Sequence, residues 1–256
     1  MTGDSQYEIS TVLVERLAAA RSVAVLTGAG MSAESGISTF RDPGGLWDRF
    51  RPEELANVRA FLANPVLVQA WYHHRRQVAD EKAPNEGHRA LVDLENLVDD
   101  FTIVTQNVDN LHRRAGSRNV LELHGNITRS YCVDCSRAPT EQELQSLTDG
   151  EAARCSACGG LIRPDVVWFG ELLPEATLEA AFDAARRADV FLSVGTSAVV
   201  YPAAGIPQLA RQFGAYVVEI NVEPSAIADE MNEVLIGPSG VVLPALVGAI
   251  RASNRN

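Results

Sequence analysis

The four cysteines of this 256-residue chain fall into two Cys-x-x-Cys pairs, Cys132/Cys135 and Cys155/Cys158, with nineteen residues between the pairs and no cysteine left over. Two thiolates separated by two residues chelate one metal from a tight turn, and a second such turn completes a tetrahedron. Cys132, Cys135, Cys155 and Cys158 are therefore read as a closed structural zinc site. The competing reading, a pair of disulfides, needs an oxidising compartment. The opening residues MTGDSQYEIS supply neither a basic nor an apolar leader, so a cytoplasmic protein with reduced cysteines is expected. A small metal-stapled module must then interrupt a larger folded body.

The length suits one sizeable core plus a smaller lobe. Uncharged stretches at 190–210 and 234–250 are broken by Gly195, Pro202, Gly205 and Pro207, and by Gly237, Pro238 and Pro244. They read as strand, loop and helix of a buried core, so no membrane partner is expected. The formal charge of −11 argues against nucleic acid. Around the cysteines, residues 126–164 hold four arginines against five acids, and four thiolates outweigh one zinc ion. A zinc-ribbon nucleic-acid binder is disfavoured on that ground, because counterion release needs a positive patch.

Apolar residues Ile9, Val12, Leu13 and Leu17 give an opening helix. Short apolar runs at 22–27, 101–105, 166–169, 190–194 and 216–220 suit buried parallel strands, and helical patterns such as 86–98 and 175–188 lie between most of them. The fold class is α/β, a Rossmann-like parallel-sheet domain with a smaller lobe made of a helical insertion and the four-cysteine zinc module. Residues 1–30, 85–125 and 165–256 are assigned to the sheet domain, 31–84 to a cofactor loop and helical module, and 126–164 to the zinc module. Ligands of such sheets bind beyond the carboxyl ends of the strands, where several polar motifs begin.

The first motif runs Gly28-Ala29-Gly30-Met31-Ser32-Ala33-Glu34-Ser35-Gly36. Glycines there let backbone approach a phosphate, with N–H donors from the helix that follows. The spacing departs from the dinucleotide fingerprint and lacks its acidic ribose ligand, which disfavours a dehydrogenase but not pyrophosphate binding. Next, Thr105-Gln106-Asn107-Val108-Asp109-Asn110 crowds amides and a carboxylate at a strand end, suiting a ligand rich in hydroxyls and amides. A helix start at Asn107 or Asp109 is the alternative. His124, between an alternating strand and Gly125, is the candidate general base. The other histidines, His73, His74, His88 and His112, are expected to be solvated. Gly195-Thr196-Ser197 and Asn221-Val222-Glu223 close two further strands as turns that suit ribose and phosphate oxygens.

In order, GAGMSAESGISTFR, TQNVDNLH, LELHG, the cysteine pairs, RPDVVWFGE, GTS and NVE resemble the sirtuin family of NAD-dependent protein lysine deacylases over nearly the whole chain. Ser38 stands where the family commonly has proline, and Trp168 where a smaller aromatic is common. The resemblance implies that NAD is consumed as a co-substrate and that one structural zinc is bound. It implies NAD contacts from Gly28, Ala29, Gly30, Ser32, Glu34, Phe40, Arg41 and Trp47. Gln106, Asn107, Val108 and Asp109 would hold the nicotinamide and its ribose. Gly195, Thr196, Ser197, Asn221, Val222, Glu223 and Ser239 would hold the adenosine half. His124 would be the general base, with Asn107 and Asp109 beside it in catalysis. Val167, Trp168, Phe169 and Gly170 would border the acyl-lysine, and the products would be nicotinamide, O-acyl-ADP-ribose and free lysine. Partners would be acylated-lysine proteins or peptides, and a monomer is expected.

Tyr72 and Arg75 stand three apart on a helical pattern and so share a face. A guanidinium beside a phenol can clamp a carboxylate. The pair resembles the Tyr-x-x-Arg of desuccinylase-like sirtuins, and Ala56 sits where that class keeps a small residue. Succinyl and malonyl groups are the expected substrates, alongside acetyl. The alternative places Arg75 in a solvated basic stripe with Arg76. A minor ADP-ribosyl transfer to protein shares the same NAD chemistry.

Overall fold

The structure, a computed structural model, describes residues 9–37, 52–145 and 150–254. Elements follow in the order α1 (Thr11–Ala19), β1 (Ser22–Thr27), α2 (Gly30–Ala33), α3 (Pro52–Leu55), α4 (Val58–Ala63), α5 (Pro65–Glu81), α6 (Glu86–Glu95), β2 (Asp100–Thr105), α7 (Leu111–Ala115) and β3 (Val120–Glu122). Then come β4 (Gly125–Cys132), α8 (Glu141–Gln145), β5 (Ile162–Val166), α9 (Glu175–Arg187), β6 (Val190–Val194), α10 (Ile206–Gln212), β7 (Tyr216–Asn221), β8 (Glu233–Ile236) and α11 (Ser239–Ser253).

Six strands form one parallel sheet in the order β3-β2-β1-β6-β7-β8. Its strands are apolar on both faces because both are covered. Val23 and Val25 of β1 point into a core shared with Leu13 and Leu17 of α1, Leu91 and Leu94 of α6, and Leu243 and Leu246 of α11. Ala24 and Leu26, one residue out of phase, face Ala181 and Ala185 of α9 and Ile206 and Ala210 of α10. Helix starts are fixed by side chains: Ser10 accepts from the Leu13 N–H, and Asn64 accepts from that of Leu67, with Pro65 opening α5.

The expected parallel strand at 166–169 does not exist. β5 ends at Val166 and pairs antiparallel with β4 in a separate two-stranded sheet. The apolar run Val166–Phe169 instead turns into a third core, where Val166 and Trp168 meet Leu55, Phe61, Val68, Trp71 and Tyr72. That core joins residues from the 52–84 segment to residues from β4 and β5. No helix among the described residues is long and apolar enough to cross a membrane.

Candidate active site

The four cysteines converge, with all ligand atoms within 4.8 Å of one another. Cys132 Sγ lies 3.4 Å from Cys158 Sγ, and Cys135 Sγ 3.7 Å from Cys155 Sγ. A tetrahedron of ~2.3 Å zinc–sulfur bonds has edges of about 3.8 Å, so the donor set fits zinc. Both turns are built alike. The N–H of Ser136 donates to Cys132 O at 2.9 Å, and that of Gly159 to Cys155 O at 2.8 Å. Ser136 and Gly159 both take positive φ, 58° and 77°. Arg137 donates to Cys155 Sγ at 3.2 Å and brings that thiol down to about 6, as a thiolate ligand requires.

The polar motifs meet at the carboxyl ends of β1, β2, β6 and β7. The Asn107 amide donates to Gly28 O at 2.9 Å and to Ser32 Oγ at 3.2 Å, and Ser32 Oγ donates to Asp109 Oδ2 at 2.6 Å. Gln106 donates to Thr196 Oγ1 at 3.1 Å, and Asn221 to Thr196 O at 3.0 Å. Burial pushes the Asp109 carboxyl up, against the bonds from Ser32 and the Leu111 N–H. The second bond, 2.9 Å to Asp109 Oδ1, takes up the first N–H of α7, whose N-cap is the next residue, Asn110. The amide-rich donor set fits a ligand with hydroxyls and a carboxamide, such as NAD.

The glycine turn differs from an open phosphate cradle. The N–H groups of Gly28 and Gly30 are already used, by Val194 O at 3.0 Å and Gly195 O at 2.8 Å. A Cβ on Gly28 would stand 2.7 Å from Gly195 O, so the glycine is needed for two loops to touch. Glu34 turns away to the start of α11, accepting from the Gly240 N–H at 2.6 Å and from Ser239 Oγ at 3.3 Å. Ser239 is thereby tied to Glu34. Val222 and Glu223 are exposed, and Ala29, Ser197 and Val108 are half-buried beside the cluster, where Val108 O accepts from the Ile127 N–H. Phe40, Arg41 and Trp47, with Ser38, lie outside the described residues.

His124 occupies the turn between β3 and β4. Gly125 follows with φ 80°, and a Cβ there would stand 2.1 Å from Asp165 O. His124 Nδ1 lies 2.9 Å from Gln106 O. A carbonyl can only accept, so Nδ1 carries the proton and Nε2 is left with its lone pair, the arrangement of a base. Burial holds the imidazole below its ordinary value of 6.5, partly offset by that bond. A rate that depends on neutral His124 should therefore keep its plateau below pH 6.5, and a kcat/KM profile with an acid limb above 6.5 would contradict this assignment.

On the far side of His124, the Val167 N–H donates to His124 O at 2.9 Å and the Phe169 N–H to Ala56 O at 3.1 Å. The Trp168 ring is buried. Its Nε1 donates to the Tyr72 hydroxyl at 2.9 Å, and the Arg163 guanidinium lies 3.6 Å from its ring centre. Arg163 in turn grips Glu171 with both nitrogens. Phe169 and Gly170 are exposed. Arg75 stacks on Trp71 and Tyr72, 4.7 and 5.7 Å from their ring centres, and has no acidic partner among the described residues. Arg76 is no part of a solvated stripe, since it donates to Ile127 O, Arg129 O and Ser130 Oγ.

His88 and His112 overturn the expectation that they are solvated. Both are buried, with ring centres 4.9 Å apart. His112 Nε2 bonds Thr27 Oγ1 at 2.9 Å, which also bonds Thr105 Oγ1, the acceptor of the Asn107 N–H. This support beneath the site was readable only in part: Asn85-x-x-His88 is a capping pattern, and His88 stands three before buried Leu91. Burial, aided by Arg89, lowers His88 to about 4, and burial, aided by His88, holds His112 well below its ordinary value. The unfolded chain binds protons that the folded one refuses. Stability is thus intact above pH 6.5 and falls as pH drops towards 4, with His88 alone costing about 2 kcal/mol between pH 7 and pH 5. Urea midpoints at the two pH values should show this, and His88→Gln should flatten the dependence.

The Sir2 family model matches residues 28–202. The chain belongs to the Sir2 family. An NAD-dependent protein deacylase 2 of Pyrobaculum aerophilum is 50% identical over 239 residues, covering 93% of this chain and 95% of that protein. An NAD-dependent protein deacylase 1 of Pseudomonas aeruginosa is 50% identical over 241 residues, covering 92% and 96%. A solved Sir2 homologue in complex with NAD superposes with a TM-score of 0.89 at 41% identity, covering 96% of this chain and 95% of that one. A Sir2 chain solved with a deacetylated p53 peptide and 3'-O-acetyl ADP-ribose gives 0.83 at 30% identity, covering 93% and 96%. The Sir2 assignment accounts for the parallel sheet, the amide cluster and the four-cysteine centre together.

Proposed function

We propose that this Sir2-family enzyme removes acyl groups from protein lysines at the expense of NAD, with anionic succinyl and malonyl groups preferred and acetyl also accepted. The observation that carries the reaction is the His124 tautomer, an imidazole kept neutral by burial, with Nδ1–H bonded to the carbonyl of Gln106, whose side chain belongs to the amide cluster, and the lone pair left on Nε2. NAD would supply the ribose: the acyl oxygen would displace nicotinamide from it, the acyl carbon would pass to a neighbouring ribose hydroxyl, and one water would be consumed in releasing free lysine and O-acyl-ADP-ribose. In this reading Gln106, Asn107 and Asp109 hold its nicotinamide end, and Gly195–Ser197, Asn221–Glu223 and Ser239 its adenosine end. His124 Nε2 takes a proton from a ribose hydroxyl, while Gln106 O holds Nδ1–H in place. Val167, Phe169 and Gly170 border the peptide. The cysteines hold a zinc that shapes the lobe; four thiolates leave it no open position for substrate.

Arg75 supports the acyl preference. Its guanidinium is half-buried on two aromatic faces, with no acidic partner among the described residues, and a substrate carboxylate would supply one. The Tyr72 oxygen accepts from Trp168, so its own proton is free to be donated. Arg75→Met should cut kcat/KM for a succinyl-lysine peptide about 10–100-fold, since hydrogen bonds to charged groups contribute about 1.5–3 kcal/mol. The acetyl-lysine value should stay within about threefold. Equal losses on both peptides would sink the acyl preference.

A further inference from the structure

Beside its apolar contacts with Ile127, Val166 and Trp168, helix α5 meets the rest of the small lobe through a row of polar side chains. Gln69, Tyr72 and Arg76 stand at i, i+3 and i+7, so they share a face. Gln69 is 4% exposed and fully engaged: Nε2 donates to Ala153 O at 3.0 Å and Ile162 O at 2.6 Å, and Oε1 accepts from the Ala153 N–H at 2.9 Å. Ala153 and Ile162 flank the second cysteine pair and pack with Cys132 and Cys155. At the other end of the row, the β4–β5 ladder shifts register between Asn126 and Ser130. Arg76 fills that gap, donating to Ile127 O at 2.8 Å, Arg129 O at 3.2 Å and Ser130 Oγ at 2.7 Å. Between the two anchors Tyr72 accepts from Trp168. β4 begins at Gly125, directly after His124.

Apolar contacts alone tolerate small slides and rotations of a helix, whereas buried polar side chains satisfied at both ends select one register. We infer that Gln69 and Arg76 are positioning residues: they lock α5 against the zinc module and β4, and so set where Tyr72 and Arg75 stand relative to His124. The zinc module then acts on acyl binding through Gln69, with no part in the chemistry. This inference rests on the reading of Tyr72 and Arg75 as the acyl-contacting pair.

Gln69→Met keeps side-chain length and Arg76→Met keeps an unbranched apolar stem, both without the anchors, and Arg76→Lys keeps a donor. For each variant, steady-state kinetics on a succinyl-lysine peptide and on NAD are measured together with zinc content. Both Met variants should raise the peptide KM about tenfold, the loss expected for about 1.4 kcal/mol of positioning. KM for NAD should stay within about twofold, one zinc per chain should remain, and Arg76→Lys should recover most of the peptide affinity. An unchanged peptide KM in a zinc-loaded variant overturns the inference. So does a parallel rise in both KM values, which marks general loosening. If Gln69→Met loses zinc or fails to fold, the Arg76 pair decides: Met and Lys variants that behave alike overturn it. The underlying reading has its own arm. If Arg75→Met does not separate succinyl from acetyl, the acyl pair fails; if it does and these variants leave KM unmoved, only the positioning role fails.

Discussion

Replacing His124 with alanine should lower kcat for NAD-dependent deacylation by about 10²–10⁴-fold, the range that a positioned general base contributes. KM for NAD should change little, because the imidazole is held by Gln106 O and not by the amide cluster that would grip the nicotinamide. The acid limb of the wild-type profile, set below pH 6.5 by burial of His124, should vanish with the side chain. A variant that kept both the rate and the limb would remove His124 from the chemistry. Gln106→Ala is no substitute experiment, since it leaves the carbonyl in place. Its side chain bonds Thr196 instead, so that variant reports on the cofactor side.

Removing the metal should be as damaging, by another route. Cys132 and Cys155 are buried at the centre of their own small cluster with Ala153 and Ile162, and little other apolar packing supports it. Without zinc the cluster must hold converging thiolates apart, and small metal-held modules unfold when stripped. Cys132→Ala, or a strong chelator, should abolish activity and lower the thermal transition. Gln69 would carry the disorder into α5, since its three bonds end on Ala153 and Ile162. Zinc added to the intact protein should leave kcat unchanged, as a centre closed by four cysteines has no site for substrate. Metal-dependent acceleration of an already zinc-loaded enzyme would contradict a structural role. Circular dichroism and metal analysis on the same samples distinguish the two outcomes.

Much of this architecture can be read from the chain. Ser22–Thr27, Val190–Val194 and the run 216–220 are mostly apolar between helical patterns, and such runs become central parallel strands because both faces are covered. The cysteine spacing alone predicts the centre that the structure assembles. Val166–Phe169 misled because an apolar run has no direction of its own. It reads like a buried strand, yet β5 pairs antiparallel with β4 and the run turns away at Val167 to bury Trp168. His88 and His112 misled because histidine polarity suggests solvent, while the contacts that bury them, Thr27 on His112 and the two rings against each other, are set by the fold, which leaves His88 Nε2 and His112 Nδ1 without a hydrogen bond among the described residues. Gln69 gave no local signal at all. The groups it satisfies lie 84 and 93 residues away, and nothing in its neighbourhood marks it as buried. Glu34 shows the same limit: its carboxylate caps α11, 206 residues on, rather than facing the cleft suggested by its motif.

The central claim, that this chain joins NAD consumption to the removal of lysine acyl groups, is tested most directly by mass spectrometry of one reaction. The protein is incubated with NAD and a succinyl-lysine peptide, beside an acetyl-lysine peptide and a reaction lacking NAD. Free-lysine peptide and nicotinamide are expected in equal amounts, with an acylated ADP-ribose product, faster loss of succinyl than of acetyl, and no product without NAD. Acyl groups that stay on every peptide, or that leave without NAD, would contradict it.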